Sequence, residues 1–207
     1  MPDHLKGERT MIIAFTGAGI SRASGIPTFD EQGDLRTKLD RCFATYHRKE
    51  FNKIMQQLAD TCKAAEPNDA HKALAEYNIP VITMNIDGLH NRAGSQYVIE
   101  VHGNAEKNNV VLYGDAAPKY TEALDIVDRM CKDDILLIVG TSFYTSISSQ
   151  IKYTAENNQT KVVIINDDAE HQVRKFLEEN QSSIGNYEDF MKRRPSWHYN
   201  FHPYDYD

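Results

Sequence analysis

Hydrophobic residues occur in short uninterrupted runs that are separated by longer stretches of mixed polarity. The runs at 11–15 and 135–139 contain only apolar residues, a pattern typical of strands that are covered on both faces. A five-residue run is too short to span a membrane. The predicted strands are residues 11–15, 80–83, 97–101, 135–139 and 161–165, with a short β-prone segment at 110–113.

Between these runs, apolar residues recur at the spacing of an amphipathic helix, as Leu35, Leu39 and Phe43 do. The predicted helices are residues 34–46, 50–64, 70–77, 119–131, 147–157 and 173–179, with a helical turn at 89–93. Strands that alternate with helices indicate an α/β fold, a doubly wound, Rossmann-like parallel sheet that binds ligands at the carboxyl ends of its strands.

Three helices separate the first two strands, although a simple crossover needs only one. We therefore predict a small helical module at 34–77 beside a Rossmann-like domain formed by 8–33 and 78–190. Residues 191–207 form an aromatic tail that we expect to pack on its own subunit or on a second copy, which would make a homo-oligomer. His198 and His202 lie in this tail, and we interpret them as non-ligands because Pro203 argues against a helix there.

Composition narrows the class of protein. The chain has 207 residues and a net charge of −7, which argues against nucleic acid as a partner. Its three cysteines are far apart and contain no Cys-x-x-Cys pair, so we expect neither disulfides nor a structural tetrathiolate zinc site. We predict no metal ligands among the site residues. With no signal-peptide pattern and no membrane-spanning run, we expect a cytoplasmic protein without a membrane partner.

Each predicted strand ends in polar residues or glycines, and in this fold such ends meet at one crevice. Gly17 and Gly19 provide half of a Gly-x-Gly-x-x-Gly motif, but Arg22 stands where the third glycine belongs. These glycines alone fit an ordinary tight turn about equally well. The strand ends are residues 17–21 (GAGIS), 85–87 (NID), 102–103 (HG), 140–142 (GTS) and 166–168 (NDD).

His102 is the natural general base of this crevice, because an imidazole can accept a proton near neutral pH. Taken singly, a histidine after a strand is more often structural, and Asn-x-Asp is often only a turn with a helix cap. The joint placement at one crevice favours a function.

Several of these motifs, in this order, resemble those of sirtuins, the NAD-dependent protein deacylases. Residues 17–21 with Ser24-Gly25-Ile26-Pro27 and Phe29 are similar to the first sirtuin signature, and residues 83–94 are similar to the second. The similarity covers roughly residues 8–180, and 184–186 resemble the last adenine-side loop of the family. The further matching segments are 102–103, 110–115, 140–142 and 165–166.

The resemblance implies an NAD cofactor, an acyl-lysine protein or peptide as substrate, and a role for each matching residue. Catalysis would depend on His102, with Asn85, Ile86 and Asp87 holding the nicotinamide ribose and carboxamide. Phe29 would shield the ribosyl carbon from water. The pyrophosphate loop would be Gly17, Ala18, Gly19, Ile20 and Ser21; the adenosine side Gly140, Thr141, Ser142, Asn166 and Asn186; and the peptide-pairing edge Val110, Val111, Tyr113 and Gly114.

The chain also departs from the family pattern. Sirtuins usually carry two Cys-x-x-Cys pairs between the histidine and the Val-Val strand, where this chain has only residues 104–109. Asp30 replaces an arginine, which should weaken NAD binding unless Arg22 or Arg36 compensates, and Met84 replaces a glutamine. NAD-dependent deacylation is the main hypothesis, and NAD hydrolysis, ADP-ribosyl transfer and a non-catalytic NAD-binding regulator stay open.

Overall fold

The computed structural model describes residues 9–193. The aromatic tail beyond residue 193, with His198 and His202, lies outside this range. Among the described residues, no helix is long and apolar enough to cross a membrane.

Five parallel strands form one sheet in the order β3-β2-β1-β4-β5, which confirms the predicted doubly wound α/β fold. The switch point lies between β1 and β4, the two central strands, because the chain winds outward from them in opposite directions. The strands are β1 (Ile12–Thr16), β2 (Val81–Thr83), β3 (Val98–Glu100), β4 (Ile135–Val139) and β5 (Lys161–Ile165).

Helices cover both faces of the sheet, and alternate residues of the central strands point into opposite layers. Ile13 of β1 belongs to one buried cluster with Ile126 and Ile151, and Ile12 belongs to the other with Leu74. The helices are α1 (Leu35–Lys38), α2 (Arg41–Tyr46), α3 (Arg48–Ala64), α4 (Asp69–Glu76), α5 (Leu89–Arg92), α6 (Tyr120–Asp128), α7 (Ser146–Asn157), α8 (Ala169–Asn180) and α9 (Tyr187–Phe190), with 3₁₀ turns at Ala18–Ser24 and Gln181–Ser183.

One local prediction, the continuous helix at 34–46, was wrong. The predicted helix at 34–46 is divided into α1 and α2, because Asp40 begins a new helix by accepting hydrogen bonds from the N–H groups of Cys42 and Phe43. The break lets the backbone beside Asp40 pair with Tyr113, which forms a single bridge to it. The β-prone residues 110–113 contribute this bridge and do not belong to the five-stranded sheet.

The helices α1 to α3 and the segment around Leu112 share a small apolar cluster built on Leu35, Leu39 and Leu112. Their division from the sheet as a separate module stays a prediction. Residues 104–109, where the sequence predicts no zinc ribbon, form a tight turn in which the Asn104 side chain accepts two backbone hydrogen bonds. The expected lack of a metal also stays a prediction.

Two buried histidines lie between α4, α5 and the end of β1. The rings of His71 and His90 are 4.7 Å apart at their centroids, and an imidazole nitrogen of His90 lies 3.0 Å from the Thr16 hydroxyl. Burial lowers the pKa of His71 to about 4 and that of His90 well below its usual range. Both rings are therefore neutral in the folded protein at neutral pH.

This pair predicts a loss of stability in mild acid. Between pH 6.5 and about 4 the unfolded chain protonates His71 while the folded chain does not, so the free energy of unfolding should fall as pH falls. Each histidine contributes about 1.4 kcal/mol per pH unit to the slope of the free energy of unfolding against pH. Urea unfolding of His71→Asn should show a shallower pH dependence than wild type, and the exposed His47→Asn variant serves as control. Equal slopes in all three proteins would contradict the assignment.

Candidate active site

A cavity of about 590 Å³ opens at the carboxyl ends of the strands, at the switch point of the sheet. Every strand end contributes to its wall: Gly19 follows β1, Asn85 follows β2, His102 follows β3, Thr141 follows β4 and Asn166 follows β5. The polar ends of the five strands therefore meet at one crevice, as the sequence predicts.

Most of the predicted site residues line this cavity. Those at its wall are Ala18, Gly19, Phe29, Asn85, Ile86, His102, Val110, Val111, Tyr113, Gly114, Gly140, Thr141, Ser142 and Asn166. The other predicted site residues, which do not line it, are Gly17, Ile20, Ser21, Asp87 and Asn186. The role assigned to each residue stays a prediction.

The glycines after β1 permit a close approach to the end of β4. A Cβ on Gly19 would lie 2.6 Å from the Cα of Gly140, and a Cβ on Gly140 would lie 2.2 Å from the Ile20 nitrogen. Gly140 also has a φ of +64°, which favours glycine. Two loop amides are used in this contact, because Gly17 N–H donates to the Val139 carbonyl and Gly19 N–H to the Gly140 carbonyl. These two N–H groups are therefore already paired within the protein.

Asp87 acts behind the cavity wall. Ser21 Oγ donates a 2.7 Å hydrogen bond to Asp87, and Asn85 Nδ2 donates a 3.0 Å bond to the same hydroxyl. Burial raises the pKa of Asp87, while bonds from the Leu89 N–H and from Ser21 oppose that rise. Ser21 and Asp87 are buried, and only Asn85 of the three reaches the cavity. Asp87 is consequently linked to the Asn85 amide through the Ser21 hydroxyl.

His102 lies in the turn after β3, with its side chain at the cavity wall. Burial lowers the pKa of this imidazole, and a hydrogen bond with the Met84 backbone opposes the shift less strongly. The ring is therefore neutral at neutral pH and can accept a proton. Its backbone carbonyl accepts a 2.9 Å hydrogen bond from the Val111 N–H, which ties the histidine to the predicted substrate-binding segment.

The predicted adenosine-side residues divide into two groups. Asn166 joins the ends of β4 and β5, because its amide exchanges hydrogen bonds of 3.0 and 3.1 Å with the Thr141 backbone. Asn186 lies elsewhere: its side chain caps α9, and the neighbouring Gly185 pairs with Thr10 at the amino end of β1. The structure thus does not bring Asn186 to the cavity, because the strand ends that line it are at the opposite edge of the sheet.

Two ion pairs lie at the cavity where Asp30 replaces the arginine of the family. Arg36 binds Asp30 at 2.9 Å, and its guanidinium stacks 3.9 Å from the centre of the Tyr144 ring. Arg22 binds Glu31 at 2.8 Å. Both arginines and Asp30 line the cavity. The two positive charges that the sequence offers to offset the negative charge of Asp30 are therefore present there.

Sequence reasoning missed several residues of the wall, mainly the segment that follows the β4 end. Tyr144 and Thr145 line the cavity, and Thr145 Oγ1 donates a 3.1 Å hydrogen bond to the Met84 sulfur. Their position directly after Gly140-Thr141-Ser142 is the sequence signal that could have identified them as residues of the cavity wall. Leu39 and Tyr120 carried none, since they reach the cavity from helical segments that pack beside it.

The fold and the cavity define a Rossmann-like α/β protein whose cavity at the switch point is lined by a glycine turn after β1 and a histidine after β3. The model of the Sir2 family matches residues 17–109. The NAD-dependent protein deacetylase of Thermodesulfovibrio yellowstonii is 32% identical over 206 aligned positions, which cover 76% of this chain and 79% of that protein. The chain belongs to the Sir2 family.

Two further comparisons agree with this assignment. The NAD-dependent protein deacylase of Thermococcus sibiricus is 32% identical, with 75% of this chain and 80% of that protein aligned. A solved Sir2 structure bound to a propionylated peptide superimposes with a TM-score of 0.72 at 27% identity, covering 83% of this chain and 94% of that one.

The glycine contact between β1 and β4 can be tested by substitution. Gly33→Ala adds a methyl at a φ of +59° with no neighbour within 4 Å, so it should cost only the backbone strain, about 1–2 kcal/mol. Gly140→Ala adds the same strain plus the clash with Ile20, so urea unfolding should show a clearly larger loss. Equal losses in the two variants would mean that the close approach does not exist in solution.

Proposed function

We propose that this protein removes an acyl group from lysine at the expense of NAD, releasing nicotinamide and O-acyl-ADP-ribose. The observation that carries this proposal is the neutral, partly buried His102 in one cavity with Asn85 and the glycine turn after β1. Sir2 relatives named as NAD-dependent deacetylase and deacylase support it.

The cavity fits NAD in size and in the chemistry of its wall. A volume of about 590 Å³ lies within the usual range of small-molecule sites, about 300–1,000 Å³. Thr141 and Ser142 offer hydroxyl groups for the nucleoside end, and Arg22 and Arg36 offer positive charge for the diphosphate. When bound, NAD supplies an electrophilic ribose carbon and nicotinamide as the leaving group.

The residues of the chain orient the reactants and move one proton. Asn85, held by Ser21 and Asp87, presents its amide to the nicotinamide side. The ring nitrogen of His102 that does not bond the Met84 backbone accepts the proton of a ribose hydroxyl, which raises the nucleophilicity of that oxygen. Phe29 at the cavity wall excludes water, so that the acyl oxygen of the substrate competes with it successfully.

The acyl-lysine peptide would lie beside residues 110–114, as an added extended strand. The backbone of Tyr113 cannot take part, because its N–H donates to the Leu39 carbonyl and its carbonyl accepts from the Arg41 N–H. Tyr113 would therefore contact the peptide through its half-exposed ring. A cytoplasmic location and assembly through the aromatic tail stay predictions.

Product analysis by mass spectrometry tests the proposal against its alternatives. With NAD and an acetyl-lysine peptide, we expect nicotinamide, free-lysine peptide and O-acetyl-ADP-ribose, and a loss of at least about a hundredfold in His102→Gln. ADP-ribose formed without peptide would instead show NAD hydrolysis, and a mass increase on a protein would show ADP-ribosyl transfer. If NAD binds measurably but is not consumed, the result would support the non-catalytic NAD-binding regulator.

NAD binding should depend in opposite directions on the two partners of the Asp30–Arg36 pair. Arg36→Met should raise the dissociation constant by about tenfold, because a charged hydrogen bond contributes about 1.5–3 kcal/mol. Asp30→Asn should lower it by about threefold, since it removes a negative charge beside the diphosphate. Isothermal titration calorimetry at two salt concentrations measures both, with Lys38→Met as control because Lys38 does not line the cavity. Tighter NAD binding in Arg36→Met would contradict the assignment of Arg36 as a cation that binds the diphosphate.

A further inference from the structure

The turn that follows β3 is fixed by buried side chains. Asn104 is 3% exposed, and its Oδ1 accepts hydrogen bonds from the N–H groups of Glu106 at 2.9 Å and Lys107 at 3.2 Å. Its own N–H donates to Asn109 Oδ1 at 2.8 Å. One asparagine therefore organises the whole turn from 104 to 109.

Glu100, the last residue of β3, is joined to the same asparagine. Its Oε1 accepts hydrogen bonds from Asn104 Nδ2 at 2.7 Å and from Asn91 Nδ2 at 2.9 Å, and its Oε2 pairs with Lys107 Nζ at 2.9 Å. Both oxygens of this buried carboxylate are thus satisfied, as burial of a charge requires.

The Glu100–Asn104 hydrogen bond closes the backbone loop 100–104. His102 is the middle residue of this loop in the sequence. Gly103 follows the histidine with a φ of +75°, and a Cβ there would lie 2.1 Å from the Asn109 carbonyl oxygen. These contacts leave the backbone at His102 little freedom.

The turn also contacts the nicotinamide-side segment. Ala105 N–H donates a 2.8 Å hydrogen bond to the Ile86 carbonyl, and a Cβ on Gly88 would lie 2.9 Å from Asn104 Nδ2. The turn therefore fixes the distance between the segment that carries the base and the segment that carries Asn85.

We propose that Asn104 and Glu100 are positioning residues for His102, and that their hydrogen bond sets the placement of the catalytic imidazole relative to Ile86. This inference rests on the proposed deacylation. Neither side chain touches the cavity, so both act through the backbone of the turn.

The test replaces one donor by an oxygen of the same shape. In Asn104→Asp, a carboxylate faces the Glu100 carboxylate, whereas the acceptor for the Glu106 and Lys107 N–H groups is kept. We expect kcat for deacylation to fall at least tenfold while the NAD dissociation constant changes less than twofold. The Cε1–H resonance of His102, assigned with His102→Gln, should titrate closer to pH 6.5 than in wild type, because a displaced imidazole loses part of its burial.

Two further variants separate positioning from a general loss of structure. Asn91→Asp presents the same new charge to the same Glu100 oxygen from α5, outside the turn, and should leave the His102 titration unchanged. Asn104→Asp combined with Glu100→Gln restores the hydrogen bond with donor and acceptor exchanged, and should recover kcat to within about threefold of wild type.

An unchanged kcat and titration in Asn104→Asp would overturn the proposal, as would equal effects in Asn91→Asp or no recovery in the double variant. If Asn104→Asp does not fold, the double variant carries the test, since a misplaced histidine despite a restored bond would also overturn it. If wild type shows no deacylation, the proposed function fails, and the His102 titration still decides whether the turn positions the imidazole.

Discussion

The site depends on one close approach, between the loop after β1 and the end of β4. Gly19 and Gly140 meet with no room for a side chain on either, and the Gly19 N–H binds the Gly140 carbonyl. This contact fixes where the 3₁₀ turn Ala18–Ser24 begins and therefore where Ser21 lies. The glycines bring two strand ends together, and the cavity wall forms around that junction.

Behind the cavity wall, buried hydroxyl groups form a chain of hydrogen bonds from the centre of the sheet to Asn85. Thr16 at the end of β1 donates to the Thr83 hydroxyl at the end of β2, and that hydroxyl accepts the Asn85 N–H. Because these groups are buried, an unmade hydrogen bond would cost the desolvation of its donor or acceptor, about 1–3 kcal/mol. The network therefore favours one arrangement of Asn85, which Ser21 and Asp87 then complete.

The sequence predicted the sheet well because its strands are apolar runs, and it predicted the cavity because the strand ends are polar. It failed where long-range contacts override local spacing. The pairing of Tyr113 with the chain beside Asp40 divides a periodic helix pattern, and the capping of α9 by Asn186 cannot be distinguished from a ligand contact by motif alone. The sequence indicates Arg22 and Arg36 equally as cations near Asp30, and only the structure shows that Arg36 pairs with Asp30 and stacks on Tyr144.

The strand order also constrains how the chain folds during synthesis. β1 emerges first from the ribosome but occupies the centre of the sheet, and its partners come much later, with the Thr16–Thr83 bond spanning 67 positions and the Met11–Asp134 bond spanning 123. Such long loop closures slow folding, because their entropy is lost before the contacts form. The apolar strand β1, and the glycine loop attached to it, therefore wait with an open edge until β4 has been synthesised, and during this interval the unpaired strand is exposed to aggregation.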